Sequence, residues 1–241
     1  MRKEMWEIKQ AVGGNALDLY IYDDVEEDGW WLESETSANH FRKVLEENAN
    51  AKQINVYINS RGGSVFEGTA IYNQLKRHPA QKTVYIDGLA GSIASVIAMA
   101  GNKVVMPKNA VMAIHNMWMV VAGNSAELRK AADDLEVINA AGRSAYLEKC
   151  GDKLTEDKLI EMMDAETWLT AEQCVEYGFA DEYAEKDADM TKAAEMLEKA
   201  NLDIKQRIRL QTSMAAQLKN LVKGEEPKNP PKTSGKFDFL K

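Results

Sequence analysis

The sequence predicts an α/β fold built on a largely parallel sheet. Two patterns carry that prediction. Strand-like runs rich in β-branched and aromatic residues alternate with segments of helical periodicity, in the order strand, helix, strand, helix. Glycine-rich knots stand where strand gives way to helix, at "SRGGS" and at "GLAGS". The hydrophobic content of 45% in 241 residues is enough for one real core. One core of roughly 150 to 190 residues with an extension fits this length better than two full domains.

The elements follow in order. "LDLYIY" (17–22) reads as a strand and "SANHFRKVLEENA" as an amphipathic helix. "QINVYIN" (53–59) is a second strand and "SVFEGTAIYNQLKRH" the helix after it. The strand "TVYI" (83–86) enters the second glycine knot, and an apolar helix runs from Ser92 to Ala100. "KVVM" and "AVMAI" are two short strands split by Pro107. Asn124 opens a long helix. With Glu127 three residues on, it forms a capping box that satisfies free N–H groups of the first turn. Leu128, Ala131, Leu135, Ile138, Gly142 and Ala145 recur at helical spacing down to Gly151. "DAETWL" reads as extended. Thr170 and Gln173 form a second capping box, so "AEQCVEYG" is a short helix stopped by Gly178.

From Glu185 the character changes. Residues 185–241 hold 12 basic and 9 acidic residues, a net +3, against −11 for 1–184. Ala194, Leu197, Asn201, Ile204, Ile208, Gln211, Ala215, Leu218 and Val222 alternate by three and four. That seam over 185–223 fits a coiled coil, with Asn201 and Gln211 fixing register, and equally an amphipathic helix lying on the core. The Pro/Lys-rich end, 224–241, is expected to be disordered.

Charge and composition exclude several classes. A net charge of −8 argues against a nucleic-acid surface. No apolar run approaches the roughly 18 residues of a membrane span. The charged start "MRKEMWEIKQ" has no signal core. The expectation is a soluble, intracellular, cytoplasmic protein. Cys150 and Cys174 read as small core side chains rather than a disulfide scaffold. His40, His78 and His115 lack metal-ligand spacing, so neither a zinc site nor another cofactor is expected.

The chemistry centres on Ser92. Gly88, Ala90, Gly91 and Ala94 strip bulk from its surroundings, so a substrate chain can approach closely. A serine at a helix start lies beside free N–H groups, which can stabilise a developing oxyanion. Taken by itself, such a serine is more simply a helix cap. A base and an orienting acid would change that. His40 lies on a polar helix face, and His78 ends a helix, where a cation is favoured for ordinary reasons. His115 follows an apolar strand at its C-terminal end, where α/β folds gather their sites. Gly62 and Gly63 expose backbone N–H groups at a strand-to-helix turn. The stretch is not a phosphate loop, and Ser92 lacks the G-x-S-x-G elbow of α/β-hydrolases.

Four stretches, in order over residues 17 to 183, resemble the ClpP family of self-compartmentalising serine peptidases. They are "YINSRGGSVFEGTAIYNQL", "DGLAGSIASVIAMAG", "KVVMPKNAVMAIH" and "WLTAEQCVEYGFAD". The resemblance implies the ClpP/crotonase-like ββα superhelix with a long protruding helix, to which the seam over 185–223 adds a C-terminal helical extension. It makes 1–184 the peptidase domain, Ser92 the nucleophile and His115 the general base. The oxyanion hole is then similar to the amides of Gly63 and Ile93. The family's aspartate stands two residues before an aromatic, here Trp168, so the acid position holds Glu166, with Asp164 in reserve if the segment is extended. Substrate is expected along Gly62, Asn116, Met117 and Trp118.

Departures from the family pattern sharpen the expectation. After His115 the family's Gln-Pro and paired glycine are replaced by "NMWMVVAGN". "ETWLTAE" and the 57-residue tail look more like the phage and prophage branch, whose members are linked to capsid maturation. The implied substrate is polypeptide, with phage head proteins the natural candidates. The implied assembly is a homo-oligomeric ring, heptameric or stacked heptamers, and an unfoldase partner is left open. Two rivals stand beside this reading: a catalytically inactive capsid-assembly protein on the same fold, and a crotonase-like acyl-CoA enzyme. Signal-peptide peptidases share the fold but use a Ser/Lys pair and a membrane segment.

Overall fold

The structure, a computed structural model, describes residues 8–10, 16–28, 34 and 37–183. The expected helical extension (185–223) and tail (224–241) lie outside the described residues. Eight strands form one mixed sheet in the order β1-β2-β3-β4-β5-β8, with β6 paired to β4 and β7 paired to β6. The strands are β1 (Ile8–Gln10), β2 (Ala16–Ile21), β3 (Gln53–Ser60), β4 (Gln81–Gly91), β5 (Lys103–Met106), β6 (Val111–Ala113), β7 (Trp168–Thr170) and β8 (Glu182–Tyr183). The β1–β2 and β6–β7 pairs are antiparallel and every other pair is parallel.

β4 organises the site. Thr83–Tyr85 pair with Lys103–Val105 of β5, while Leu89–Gly91 pair with Val111–Ala113 of β6. One strand therefore serves two neighbours on the same side in succession. By sequence this strand is expected to end at Ile86. It runs on because the glycine–alanine knot is still laddered, with Ala90 opposite Ser60 of β3 after an irregularity between Ile58 and Ser60. Small side chains at 88, 90 and 91 end nothing here; they let backbones close in from both sides.

Alternation places the core. Leu17, Leu19 and Ile21 of β2, Ile54, Val56 and Ile58 of β3, and Val84 and Ile86 of β4 are all essentially buried. Each buried aliphatic side chain contributes about 1.5–3 kcal/mol relative to exposure. Onto this face pack Phe41, Val44 and Leu45 of α1 (Ala38–Glu47), Ile71 and Leu75 of α2 (Val65–Arg77), and Ile93 and Ile97 of α3 (Ile93–Ala98). The opposite face carries a row of half-buried rings: Tyr57 stacks on Tyr20 at 4.6 Å and on Tyr85 at 5.1 Å.

The long helix α4 spans Ser125–Cys150, with both halves of the Asn124/Glu127 capping box in place. None of its residues before Asn139 is buried, and Val137 is 72% exposed. The helix therefore protrudes for half its length, despite the apolar stripe that begins at Leu128. No helix among the described residues is long and apolar enough to cross a membrane.

Three expectations need correction. First, a helix α5 (Glu156–Asp164) was not foreseen; Thr155 caps it by accepting from the Lys158 N–H, and Leu159, Met162 and Met163 face the core. Second, "DAETWL" is therefore not extended. Asp164 ends α5, Ala165 caps it, Glu166 turns with φ 49°, and extended chain begins at Trp168. The helix wins because its i, i+3, i+4 apolar set reaches Met163 and ties the chain to that period. Third, His78 is no helix-end cation. It is buried, its Nδ1 accepts from the Ala80 N–H, and burial pushes its pKa down. The second capping box, Thr170/Gln173, forms as expected at the start of α6 (Ala171–Tyr177), and left-handed Gly178 ends it. Cys150 and Cys174 are free and buried.

Candidate active site

Ser92 follows β4 directly, with φ 53° and ψ −129°. A non-glycine residue at positive φ is strained by about 1–3 kcal/mol and persists where its surroundings over-determine it. Here they do. The Ser92 N–H donates to the Ala113 carbonyl at 2.9 Å, continuing the β4–β6 ladder by one step. The Ser92 carbonyl accepts from the Ser95 N–H at 3.0 Å and from the Ser95 hydroxyl at 2.5 Å. Tyr146, fully buried on α4, lies 2.7 Å from that hydroxyl. With Ser95 donating to Ser92, the Tyr146 O–H is the donor to Ser95. The Ser92 side chain makes no capping bond to α3, so the simple helix-cap reading does not describe it.

Two backbone amides stand in the turns after β3 and β4. Val25 donates its N–H to the Gly62 carbonyl at 2.7 Å, and its own carbonyl accepts from the Ser64 N–H at 2.7 Å. Val25 thus bonds both neighbours of Gly63, and this parallel-bridge geometry turns the Gly63 N–H to the opposite side. Ile93 is the first residue of α3, where an N–H has no intrahelical acceptor. Neither amide donates to a described acceptor. The turn that presents Gly63 demands glycine: Gly62 has φ 105° and Gly63 φ 146°.

The strand register sets the remaining geometry. Gly91 pairs with Ala113, and Ala113 pairs with Trp168. The Ile114 N–H donates to the Thr167 carbonyl at 3.0 Å, so the β6–β7 register continues past both strands. Beyond that bond the ladder stops: Glu166 stands in the turn that leads into β7, with φ 49° and its N–H on the Met163 carbonyl at 3.1 Å. Ser92, His115 and Glu166 therefore lie beyond the same edge of three adjacent strands. The structure does not close them into one hydrogen-bonded chain. The His115 Nδ1 lies 2.6 Å from the carbonyl oxygen of Asn116, and no described donor reaches the exposed Glu166 carboxylate. Asp164 accepts from the Asn116 side-chain amide at 2.6 Å.

Ser92, His115 and Gly63 share the wall of a cavity of about 260 Å³. Met117 and Trp118 also line it, whereas Gly62, Ile93, Asn116, Asp164 and Glu166 do not. Met117 is 5% exposed, with its N–H held by the Asn139 side-chain oxygen at 2.8 Å. Phe66 and Met119, with Leu135 and Ile138 of α4, complete an apolar wall that sequence reasoning missed. The stripe at 135 and 138 was visible as helical spacing, but spacing does not say what the stripe faces. Nor was the Ser95–Tyr146 clamp anticipated, because no spacing joins residues 95 and 146. Among the described residues no cluster of His, Cys, Asp and Glu could hold a metal ion.

This α/β architecture, with a strained serine after one strand and a histidine after its neighbour, has the layout of a serine endopeptidase. The chain belongs to the Clp protease family, which matches residues 33–187 and whose members are serine endopeptidases that form oligomeric rings and act on polypeptides. It is 30% identical over 143 residues to the ATP-dependent Clp protease proteolytic subunit 2 of Mycolicibacterium paratuberculosis, covering 58% of this chain and 70% of that one. It is 32% identical to the ATP-dependent Clp protease proteolytic subunit 1 of Corynebacterium jeikeium, over 54% of this chain and 69% of the relative. The corresponding subunit of Bacteroides fragilis is 31% identical over 54% of this chain and 63% of its own length.

Proposed function

We propose that this chain hydrolyses peptide bonds with Ser92 as nucleophile, His115 as general base and Glu166 as the acid. The observation that carries the reading is the shared cavity: Ser92, His115 and the outward-turned Gly63 amide line one apolar pocket. Ser92 attacks the peptide carbonyl while His115 Nε2 takes its proton, and the Gly63 and Ile93 amides receive the oxyanion. His115 then protonates the leaving amine. Water, deprotonated by His115, releases the acyl group and restores Ser92. Glu166, in the turn before β7, supplies the negative charge that favours the imidazolium.

The substrate reading is finer. "ETWLTAE" and the C-terminal extension favour the phage and prophage branch, and with it cleavage of head proteins within a homo-oligomeric ring, heptameric or stacked. The extension over 185–223 then serves assembly or partner binding. Family membership favours peptide hydrolysis over acyl-CoA chemistry. The unpartnered Glu166 carboxylate gives weight to one second reading, an inactive assembly protein. An active-site-directed fluorophosphonate separates the two. Labelling of the native chain that vanishes in Ser92→Ala supports the peptidase. No labelling of the native chain favours the assembly protein, and full labelling of the variant removes Ser92 from the mechanism. Incubation with a phage scaffold protein, with and without ATP and an unfoldase, tests the substrate.

A further inference from the structure

The residue next to the base carries the inference. His115 Nδ1 is 2.6 Å from the Asn116 carbonyl oxygen. A carbonyl oxygen only accepts, so this contact is a hydrogen bond when Nδ1 carries the proton. That tautomer leaves Nε2 unprotonated, which a base toward the Ser92 hydroxyl requires. The same residue is held from its other end. The Asn116 side-chain amide donates to Asp164 Oδ1 at 2.6 Å. Asp164 closes α5, a helix anchored in the core by Leu159, Met162 and Met163. The following peptide is held too, because the Met117 N–H donates to the buried Asn139 side chain at 2.8 Å.

We propose that Asn116 is a positioning residue, a relay through which Asp164 fixes the tautomer and orientation of His115. The inference rests on His115 being the base and deepens that reading. Asp164 then acts without touching the imidazole. Its carboxylate holds the Asn116 side chain, the Asn116 peptide is held in turn, and the carbonyl of that peptide retains the Nδ1 proton. Glu166 contributes charge from the turn before β7, while Asn116 and Asp164 contribute geometry. Exposure of Asp164 is no obstacle, since a fixed acceptor is what the relay needs from it.

Two measurements test the relay. The first is the tautomer of His115, read from its ring nitrogen chemical shifts in nitrogen-15-labelled full chain. The native protein should show the Nδ1-protonated form, and Asn116→Ala should show a mixture. The second is the fluorophosphonate labelling rate. Asn116→Ala should slow it about tenfold or more, inside the roughly 10²–10⁴-fold that a positioned base contributes. Asp164→Ala should match it, the double variant should be no slower than either single, and Asp164→Asn, which keeps an acceptor oxygen, should lose less. An unchanged tautomer in Asn116→Ala, or additive losses in the double variant, overturns the relay. Should Asn116→Ala fail to fold, Asp164→Ala carries both measurements from an exposed site. A His115→Ala variant that labels at the native rate defeats the catalytic reading instead, and the tautomer measurement still decides whether the relay exists.

Discussion

Gly62 and Ser92 stand so close that a Cβ on Gly62 would lie 2.7 Å from the Cβ of Ser92 and 2.7 Å from the Gly91 carbonyl. The two turns, one after β3 and one after β4, are thus packed backbone against backbone. Gly62→Ala forces a methyl into that contact at φ 105°. A destabilisation of about 1–3 kcal/mol is expected from the backbone strain alone. Loss of fluorophosphonate labelling should accompany it, because Ser92 must give way. Thermal melts and labelling of the same preparation check both.

Tyr146→Phe removes the donor that holds the Ser95 hydroxyl. The hydroxyl keeps its bond to the Ser92 carbonyl but loses its second buried partner. A loss of about 1–3 kcal/mol follows, seen as a lower urea midpoint with an unchanged slope. Labelling of Ser92 should slow as well, since the clamp holds its strained backbone.

Replacing the two candidate acids should give unequal results. Glu166→Ala is expected to reduce kcat/KM for a peptide substrate far more than Asp164→Ala, because Glu166 holds the position of the family's acid while Asp164 reaches His115 through Asn116. The reverse order would transfer the acid role to Asp164. Steady-state kinetics on both variants decides.

Asp87 hydrogen-bonds with Tyr22. Burial raises the Asp87 pKa, and the Tyr22 bond opposes part of that rise. A carboxyl raised above its unfolded value favours folding while protonated, and that advantage is lost as pH rises through the folded pKa. Asp87→Asn keeps an acceptor for Tyr22 and removes the ionisation. Its stabilising effect should therefore be larger at pH 8 than at pH 4, as measured by denaturation at both.

Burial pushes both cysteine thiols up to about 12. Neither should react with an aromatic disulfide reagent at pH 8 in the folded chain, and both should react at once in denaturant. Reaction of one thiol under native conditions would show local opening around α4 or α6.

Much of the fold was legible because period and punctuation agree. The alternation in "QINVYIN" and the capping boxes at Asn124 and Thr170 each fix an element from local chemistry. α5 was legible too, in Thr155 followed by Leu159, Met162 and Met163, a capped apolar period that the sequence analysis left unassigned. The site divides in the same way. Ser92, His115 and the glycine pair announce themselves by residue type at strand ends. The Asn116–Asp164 bond, the Ser95–Tyr146 clamp and the walls from Leu135 and Ile138 depend on how distant segments pack, which no local pattern encodes. Register is the intermediate case. That residue 113 meets residue 168, so that 115 and 166 come to the same sheet edge, follows once β6 and β7 are known to be antiparallel partners, and nothing in either strand alone states it.

The ladder between β6 and β7 closes a very long detour. Everything between Ala113 and Trp168, the protruding helix included, is an excursion that leaves one rung and returns to it. Lengthening or shortening the outer part of that excursion need not shift the sheet edge from which His115 and Glu166 project. The tip is therefore where such a chain can acquire new contacts without rebuilding its chemistry.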